Sequence, residues 1–147
     1  MSKHEDANLI LKLYELRREP VMREARNWMI TFFPESAQDL VGAIVGTNSA
    51  YYRMVTSYWD MAASFVNNGA IDETMFNEAN GEHVVVFSKL QPYLAEFREL
   101  MGNPNYLLNL EKLVMRIPDA ETVLANRREM IKRMVSLRAE AAKATQA

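Results

Sequence analysis

The sequence predicts an all-α protein, a compact multi-helix bundle of about seven helices around a central helix at about 49–68. Apolar residues recur every three to four positions along most of the chain, which is the spacing of one face of an α-helix. Capping residues, Pro and Gly stand where such helices would begin or end. The only strand-like run, at 84–87, has helical spacing around it and no second strand to pair with.

The first three predicted helices lie at about 5–18, at about 20–33, and in a short segment that stops near Gly46. Ser2 and Glu5 have the spacing of a capping box at the start of the first helix. Pro20 suits the first turn of the second helix, and Pro34 ends it. The three helices are therefore bounded by residues that favour the start or the end of a helix.

The fourth helix, at about 49–68, has the clearest pattern. Its apolar positions form a wide stripe made of Tyr51, Tyr52, Val55, Tyr58, Trp59, Ala62, Phe65 and Val66. Gly69 follows it and can take the left-handed conformation that ends a helix. Because so little of its circumference is polar, we expect neighbouring helices to enclose it.

The later helices are predicted from Asp72 to about Ala79, along a long helix kinked at Pro92 and reaching Met101, from Asn103-Pro104 to Val114, and at about 120–140. Asp72 is a good N-cap, and proline inside a helical pattern kinks or ends the helix. No linker, repeat or change of composition divides the chain. We therefore predict one domain over 1–147, with frayed ends at about 1–4 and 141–147.

Composition excludes several classes of site. The chain has no Cys, which excludes disulfides, iron–sulfur clusters and zinc sites that need sulfur. The amino terminus has acidic residues where a secretory signal would be basic and then apolar. The longest uncharged run, at 40–52, is shorter than the roughly 20 residues that a membrane span requires. We expect a cytoplasmic protein without a membrane span.

Motifs for catalysis and cofactor binding are absent. The sequence lacks glycine-rich phosphate loops, the Gly-x-Ser-x-Gly motif and the Glu-x-x-His pairs of di-metal helical bundles. Glu78 and Glu82 beside His83 come nearest to a metal site, but a turn at Asn80-Gly81 separates them. We predict no metal, no cofactor and no catalytic residue.

The polar edge of the central helix is the best candidate for a ligand site. Arg53, Ser57 and Asp60 either face solvent or line a pocket, since residues three and four apart share a helix face. The candidate ligand-binding residues are Arg53, Tyr58, Asp60 and His83. Arg23 and Arg26, near Trp28, either form an anion site or a stacking contact, or form surface ion pairs with Glu19 and Glu24.

Charge is unevenly distributed along the chain, which is acidic at 36–115 and basic at 116–147. Nucleic acid is an alternative partner for the basic residues of the last helix, Arg127, Arg128, Lys132, Arg133 and Arg138. Glu129 and Glu140 dilute this positive charge, and the whole chain has a net charge of −2. We therefore expect no nucleic-acid binding.

Three stretches resemble a bacterial family catalogued as domain of unknown function 4760. They are REPVMREARNWM at 18–29, SYWDMAASFVNNGAID at 57–72 and QPYLAEFRE at 91–99. The resemblance implies an all-helical fold and supplies no activity and no functional residue. Family members often carry a membrane helix ahead of this domain, and this sequence shows none.

The sequence specifies no function, and we expect a non-enzymatic helical interaction or regulatory module, with a homodimer as one form of the interaction. Apolar surface is plentiful, while groups able to do chemistry are few. A small-ligand-binding protein or unrecognised enzyme, with a pocket beside 49–68, is the first alternative. A nucleic-acid adaptor acting through the last helix is the second.

Overall fold

The computed structural model describes residues 2–146, and these residues form nine α-helices and one short 3-10 turn. The helices are α1 (Lys3–Arg17), α2 (Pro20–Thr31), α3 (Ala37–Val45), α4 (Ser49–Asn67), α5 (Glu73–Ala79), α6 (Glu82–Leu90), α7 (Leu94–Met101), α8 (Leu108–Met115) and α9 (Ala120–Gln146). No strand occurs within 2–146. The predicted all-α fold is confirmed.

The central helix is α4, which packs against α2, α3, α5 and α8. Its buried side chains are Tyr52, Val55, Thr56, Tyr58, Trp59, Ala62, Ala63 and Val66. All of them except Thr56 belong to one apolar core to which every α-helix contributes. Met61 and Phe65 extend the apolar pattern but remain 38% exposed. The prediction of an enclosed central helix is confirmed, with one face left partly open.

The helix ends follow the local signals in the sequence. The Ser2 hydroxyl accepts from the Glu5 amide, and the Glu5 carboxylate accepts from the Ser2 amide, which completes the predicted capping box. Asp72 caps α5 by accepting from the Met75 amide at 2.8 Å. Gly69 has a φ of 81°, in the left-handed region that glycine enters without steric cost.

Pro92 divides the predicted long helix into two. α6 ends at Leu90, a 3-10 turn spans Gln91–Tyr93, and α7 begins at Leu94. Proline has no N–H to donate and its ring collides with the preceding turn, so the helix stops instead of bending. The structure therefore contains more helices than the predicted seven.

The predicted start of α8 is wrong by four residues. We expected a helix from Asn103-Pro104, but the segment up to Leu107 forms turns and α8 begins afterwards. Leu107 is 5% exposed and has a φ of 53°, a strained value for a residue with a branched side chain. Arg98 holds this segment, since its Nε and Nη2 donate to the Tyr106 carbonyl at 2.9 and 2.7 Å.

α9 is longer than predicted and extends beyond the core. Its last buried residue is Ile131, and residues 132–146 continue as helix for about 22 Å. α1 begins at Lys3 and α9 continues to Gln146, and the frayed ends at about 1–4 and 141–147 stay a prediction. Ala, Glu, Lys and Gln at 139–146 are strong helix formers, which accounts for the greater length of α9. Met1 and Ala147 lie outside the described residues.

Candidate functional site

A network of polar side chains connects α1 and α2 to the start of α6 beneath the central helix. Arg26 Nε lies 3.0 and 3.1 Å from the two carboxylate oxygens of Glu82. The indole N–H of Trp59 donates to the same carboxylate at 2.9 Å. Arg17 donates to the Asn80 side chain at 2.9 Å and lies 5.4 Å from the Trp59 ring centre. We call Arg17, Arg26, Trp59, Asn80 and Glu82 the Trp59 network.

The charged groups of the Trp59 network are bonded within the chain. Both carboxylate oxygens of Glu82 accept hydrogen bonds, and Arg26 also donates to the Arg17 carbonyl at 3.1 Å. The Arg26–Glu82 pair is partly buried, with side chains 27% and 23% exposed. These contacts hold segments of the chain together.

The predicted ion-pair partners of Arg26 are wrong. Its partner is Glu82, which lies far away in the chain, instead of Glu19 or Glu24. Glu19 caps α2 by accepting from the Met22 amide at 2.9 Å. Glu24 accepts from the Tyr51 hydroxyl at 3.0 Å.

His83 is a fully buried core residue. Its Nε2 lies 3.0 Å from the Asn77 side-chain oxygen, and its Nδ1 has no hydrogen-bond partner among residues 2–146. The imidazole packs 5.0 Å from the Phe76 ring centre and 5.5 Å from that of Trp59. Burial, aided by the charge of Arg17, lowers the pKa of His83 from 6.5 to about 4. The imidazole is therefore neutral at pH 7.

Tyr58 connects the central helix to α1. Its side chain is 8% exposed, and its hydroxyl donates to the Leu13 carbonyl. Burial raises the pKa of the phenol above its usual value, because the charged form would lose its hydration. The hydroxyl is therefore a structural donor at neutral pH.

Arg53 and Asp60 line an open groove of about 520 Å³ between α3, α4 and the segment before α8. Arg53 is exposed and donates to the Ser49 hydroxyl at 3.0 Å. Asp60 accepts from the Leu110 amide at 2.9 Å, so it caps the first turn of α8 from outside that helix. Ser57 lies in the groove wall and is exposed. The polar edge is thus both solvated and part of a groove.

The structure does not gather the four candidate ligand-binding residues into one pocket. Arg53 and Asp60 share the groove, whereas Tyr58 faces α1 and His83 lies in the core. A ligand-binding role for these residues stays a prediction. Sequence reasoning did not find the Trp59 network, since each of its hydrogen bonds between two side chains joins residues at least 23 positions apart.

A second groove, of about 620 Å³, lies between α1 and α4 and is mostly apolar. Its lining residues are Lys12, Glu15, Leu16, Glu19, Met22, Met54, Ser57, Tyr58 and Met61. It exists because α1 packs on α2 and α5, which leaves this face of α4 open. Leu16 and Met61 are 47% and 38% exposed within it.

Comparison with protein families gives one match. The model of the family described as Domain of unknown function (DUF4760) matches residues 3–117. The chain belongs to this family. Comparisons with curated proteins and with solved structures found no match. The family description names no activity, and its matched region covers α1 to α8 while α9 lies outside it.

α9 carries the main exposed feature outside the family match. Five residues at alternating four- and three-residue spacing form an apolar stripe, which we call the α9 seam: Met130, Met134, Leu137, Ala141 and Ala144. Met130 and Leu137 are 46% and 53% exposed. This spacing is that of the a and d positions in a coiled coil.

The basic residues of α9 are only partly engaged within the chain. Arg128 donates to the Ser88 carbonyl at 2.9 Å, and Lys132 lies 3.8 Å from the exposed carboxylate of Glu129. Nucleic-acid binding by this helix stays a prediction.

None of the helices at 2–146 is both long enough and apolar enough to cross a membrane. No group of three or more His, Asp or Glu side chains in the same range comes together in a way that could hold a metal ion.

Proposed function

We propose that this chain is a non-enzymatic interaction module that associates with a second copy of itself through the α9 seam. One observation carries this proposal: α9 continues past Ile131, its last buried residue, and exposes a coiled-coil stripe along the continuing part. A cytoplasmic location is part of the proposal, and the lack of Cys supports it.

The helix needs a partner for a physical reason. Isolated helices shorter than about 12–15 residues are marginal in water, because most helical stability in proteins comes from packing an apolar face. Residues 132–146 bury no side chain within the described chain, yet they keep the apolar spacing of a packed helix. Pairing two such helices would bury both seams together.

The charges beside the seam favour an antiparallel pair. With Met134 at an a position, Arg133 and Glu140 occupy g positions and Arg138 an e position. A parallel pair would set Arg133 beside Arg138 of the second copy, which repels. An antiparallel pair sets Arg133 beside Glu140 of the second copy, twice over, and stacks Met134 on Leu137.

The first experiment measures mass by light scattering at protein concentrations from about one micromolar to about one millimolar. The wild type is expected to shift from monomer to dimer within this range. Leu137→Glu should abolish the shift, because it places a charge at the centre of the seam. Ser136→Glu is the matched control, since it adds the same charge on the outer face and should leave the dimer intact.

A charge exchange tests the orientation separately. Arg133→Glu and Glu140→Arg should each weaken the dimer, and the double variant should restore it. A strict monomer at all concentrations contradicts self-association. A dimer that the double variant fails to restore contradicts the antiparallel arrangement.

Binding of a small ligand in the Arg53–Asp60 groove is the second candidate function. The groove of about 520 Å³ presents a cation and a carboxylate to the same space, which suits a small polar molecule. A thermal-shift screen of metabolites tests it, because a ligand at 100 times its Kd adds about 2.7 kcal/mol of stability. A hit whose effect disappears in Arg53→Gln supports this function, and a screen without hits removes it.

A further inference from the structure

Three cationic side chains converge on a small cavity between the segment after α2, the end of α6 and α9. The cavity measures about 60 Å³ and is lined by Phe33, Pro34, Lys89, Tyr93, Arg128 and Lys132. A water molecule occupies about 30 Å³ in the liquid, so the cavity has room for one small ion. No carboxylate belongs to this lining.

Lys89 is the unusual member, because it is only 3% exposed. Its ammonium donates to the Met29 carbonyl and, at 3.3 Å, to the Ile30 carbonyl, and it lies 5.0 Å from the Phe33 ring centre. An ammonium has three N–H donors, so one remains after these two bonds. Burial lowers the pKa of Lys89 to about 8, which leaves it mostly protonated at pH 7.

Lys89 has no close carboxylate partner, since none of the ion pairs among residues 2–146 includes it. Glu82 favours its charged form from a distance, but that carboxylate is bonded to Arg26 and Trp59. A buried charge without a close partner is costly, so an external anion would stabilise it.

α9 supplies the other two cations from one face. Arg128 and Lys132 are four positions apart, which places both side chains on the same side of a helix. Arg128 uses one N–H on the Ser88 carbonyl, and its guanidinium has four others. Among the described residues, the only ion pair of Lys132 is the 3.8 Å contact to Glu129, whose side chain is 80% exposed.

Two of the cations also bond to carbonyl groups near helix ends, but these bonds do not balance the positive charge of the site. Lys89 caps the last turn of α2, and Arg128 bonds a carbonyl near the end of α6. Each helix C-terminus carries about half a negative charge. Three unit charges against two half charges leave a surplus of about two, which matches a phosphate group at neutral pH.

We propose that this cavity is a binding site for a phosphate group, either free inorganic phosphate or the phosphate of a small metabolite. Lys89 is the buried anchor of the site, Arg128 offers a planar fork of donors, and Lys132 stands at the exposed edge. This site is independent of the α9 seam, since Lys132 lies on the outer side of the heptad pattern.

Calorimetric titration of the full chain tests the site, with inorganic phosphate in one arm and methyl phosphate in the other. Ionic strength is held constant with chloride, so that general screening cancels. Lys132→Gln should raise the Kd about tenfold or more. Lys143→Gln removes the same charge from the same helix, away from the cavity, and should change the Kd by less than about twofold. Preference for methyl phosphate points to a metabolite, and preference for inorganic phosphate points to the free ion.

Lys89→Met is a weaker test because it removes a helix cap and can prevent folding. Lys132→Gln lies at the surface and avoids this problem. Absence of binding to the wild type at up to about 10 mM of either ligand overturns the proposal. Equal weakening by Lys132→Gln and Lys143→Gln also overturns it, because the cavity would then have no special role.

Discussion

The body of the fold and the far half of α9 use their charged side chains in opposite ways. In the body, three ion pairs join different elements: Arg26 to Glu82, Arg98 to Glu111 and Arg116 to Glu73. In α9, the ion pair between Lys132 and Glu129 spans a single turn. The body therefore uses its ion pairs to connect its own segments, whereas the charged residues at 132–146 form no ion pair with another element among the described residues.

The two regions should also differ in the property that a substitution changes, which is the free energy of unfolding in the body and association in the far half of α9. Trp59 and the core around it are buried and hydrogen-bonded, so changes there alter the free energy of unfolding. None of the side chains at 132–146 is fully buried within the described chain, and only Met134 and Val135 are half-buried, so changes there should alter association and leave the folded monomer nearly unaffected. The following experiments test this separation.

Trp59→Ala has the largest expected effect. It removes a side chain that is 1% exposed and leaves the Glu82 carboxylate with one donor fewer, so we expect a loss of about 3–5 kcal/mol in the free energy of unfolding. Urea denaturation measures it. Leu137→Ala, in the α9 seam, is the contrasting variant and should change monomer stability by less than about 0.5 kcal/mol. Similar losses in both variants would contradict the claim that the far half of α9 contributes little to the stability of the monomer.

Acidification has the next largest effect, through His83. The pKa of His83 is 6.5 in the unfolded chain and about 4 in the folded one, so only the unfolded chain gains this proton between these values. Stability that is complete above pH 6.5 is lost as the pH falls toward 4, by about 3 kcal/mol from this residue. Denaturation curves at several pH values measure the slope. His83→Gln should flatten it, and an unchanged slope in that variant would show that carboxylates cause the acid sensitivity.

Glu82→Gln tests the ion pair at the centre of the Trp59 network. The amide can still accept from Trp59, but Arg26 loses its opposite charge, so we expect a loss of about 1–2 kcal/mol. The matched change in α9 is Glu129→Gln, whose loss should be under about 0.5 kcal/mol. Thermal unfolding at low and high salt compares the two. An equal loss would mean that the network adds nothing beyond an ordinary surface pair.

Removal of residues 133–146 has the smallest expected effect on the monomer. The truncated chain keeps Ile131 and Lys132, and its stability should stay within about 0.5 kcal/mol of the full chain at concentrations where both are monomeric. Circular dichroism gives both the helix content and the unfolding midpoint. A larger loss would show that the far half of α9 supports the fold from within.

Local chemistry explains which parts of the fold were predictable. The capping box at Ser2 and Glu5 and the cap at Asp72 depend on neighbours within four residues, and both occur as expected. Pro92 was identified as an interruption, but the expected kink is a complete break between two helices. The start of α8 was not predictable, because Leu107 adopts a left-handed conformation that leucine rarely takes. Its position depends on contacts made by other segments.

The candidate sites were predictable only in part, since their partners are far apart in the chain. Asp60 was identified as a polar residue of interest, but its bond to the Leu110 amide spans 50 positions. The contact of Lys89 with the Met29 carbonyl spans 60 positions. One signal was available for Lys89: it is the only charged residue in the apolar run at 84–90, where a lysine needs a special environment.

The left-handed backbone and the burial of Leu107 together limit which residues can replace it. Glycine would relax its left-handed backbone but leave a hole where a 5% exposed side chain now packs. Asparagine would fit the backbone yet bring an amide into an apolar site, and valine or isoleucine would fit the interior at a steric cost. Each of these replacements would either strain the backbone or disturb the packing of the interior. Leucine here is therefore a compromise between a left-handed backbone and a filled apolar interior, which no single residue type satisfies together.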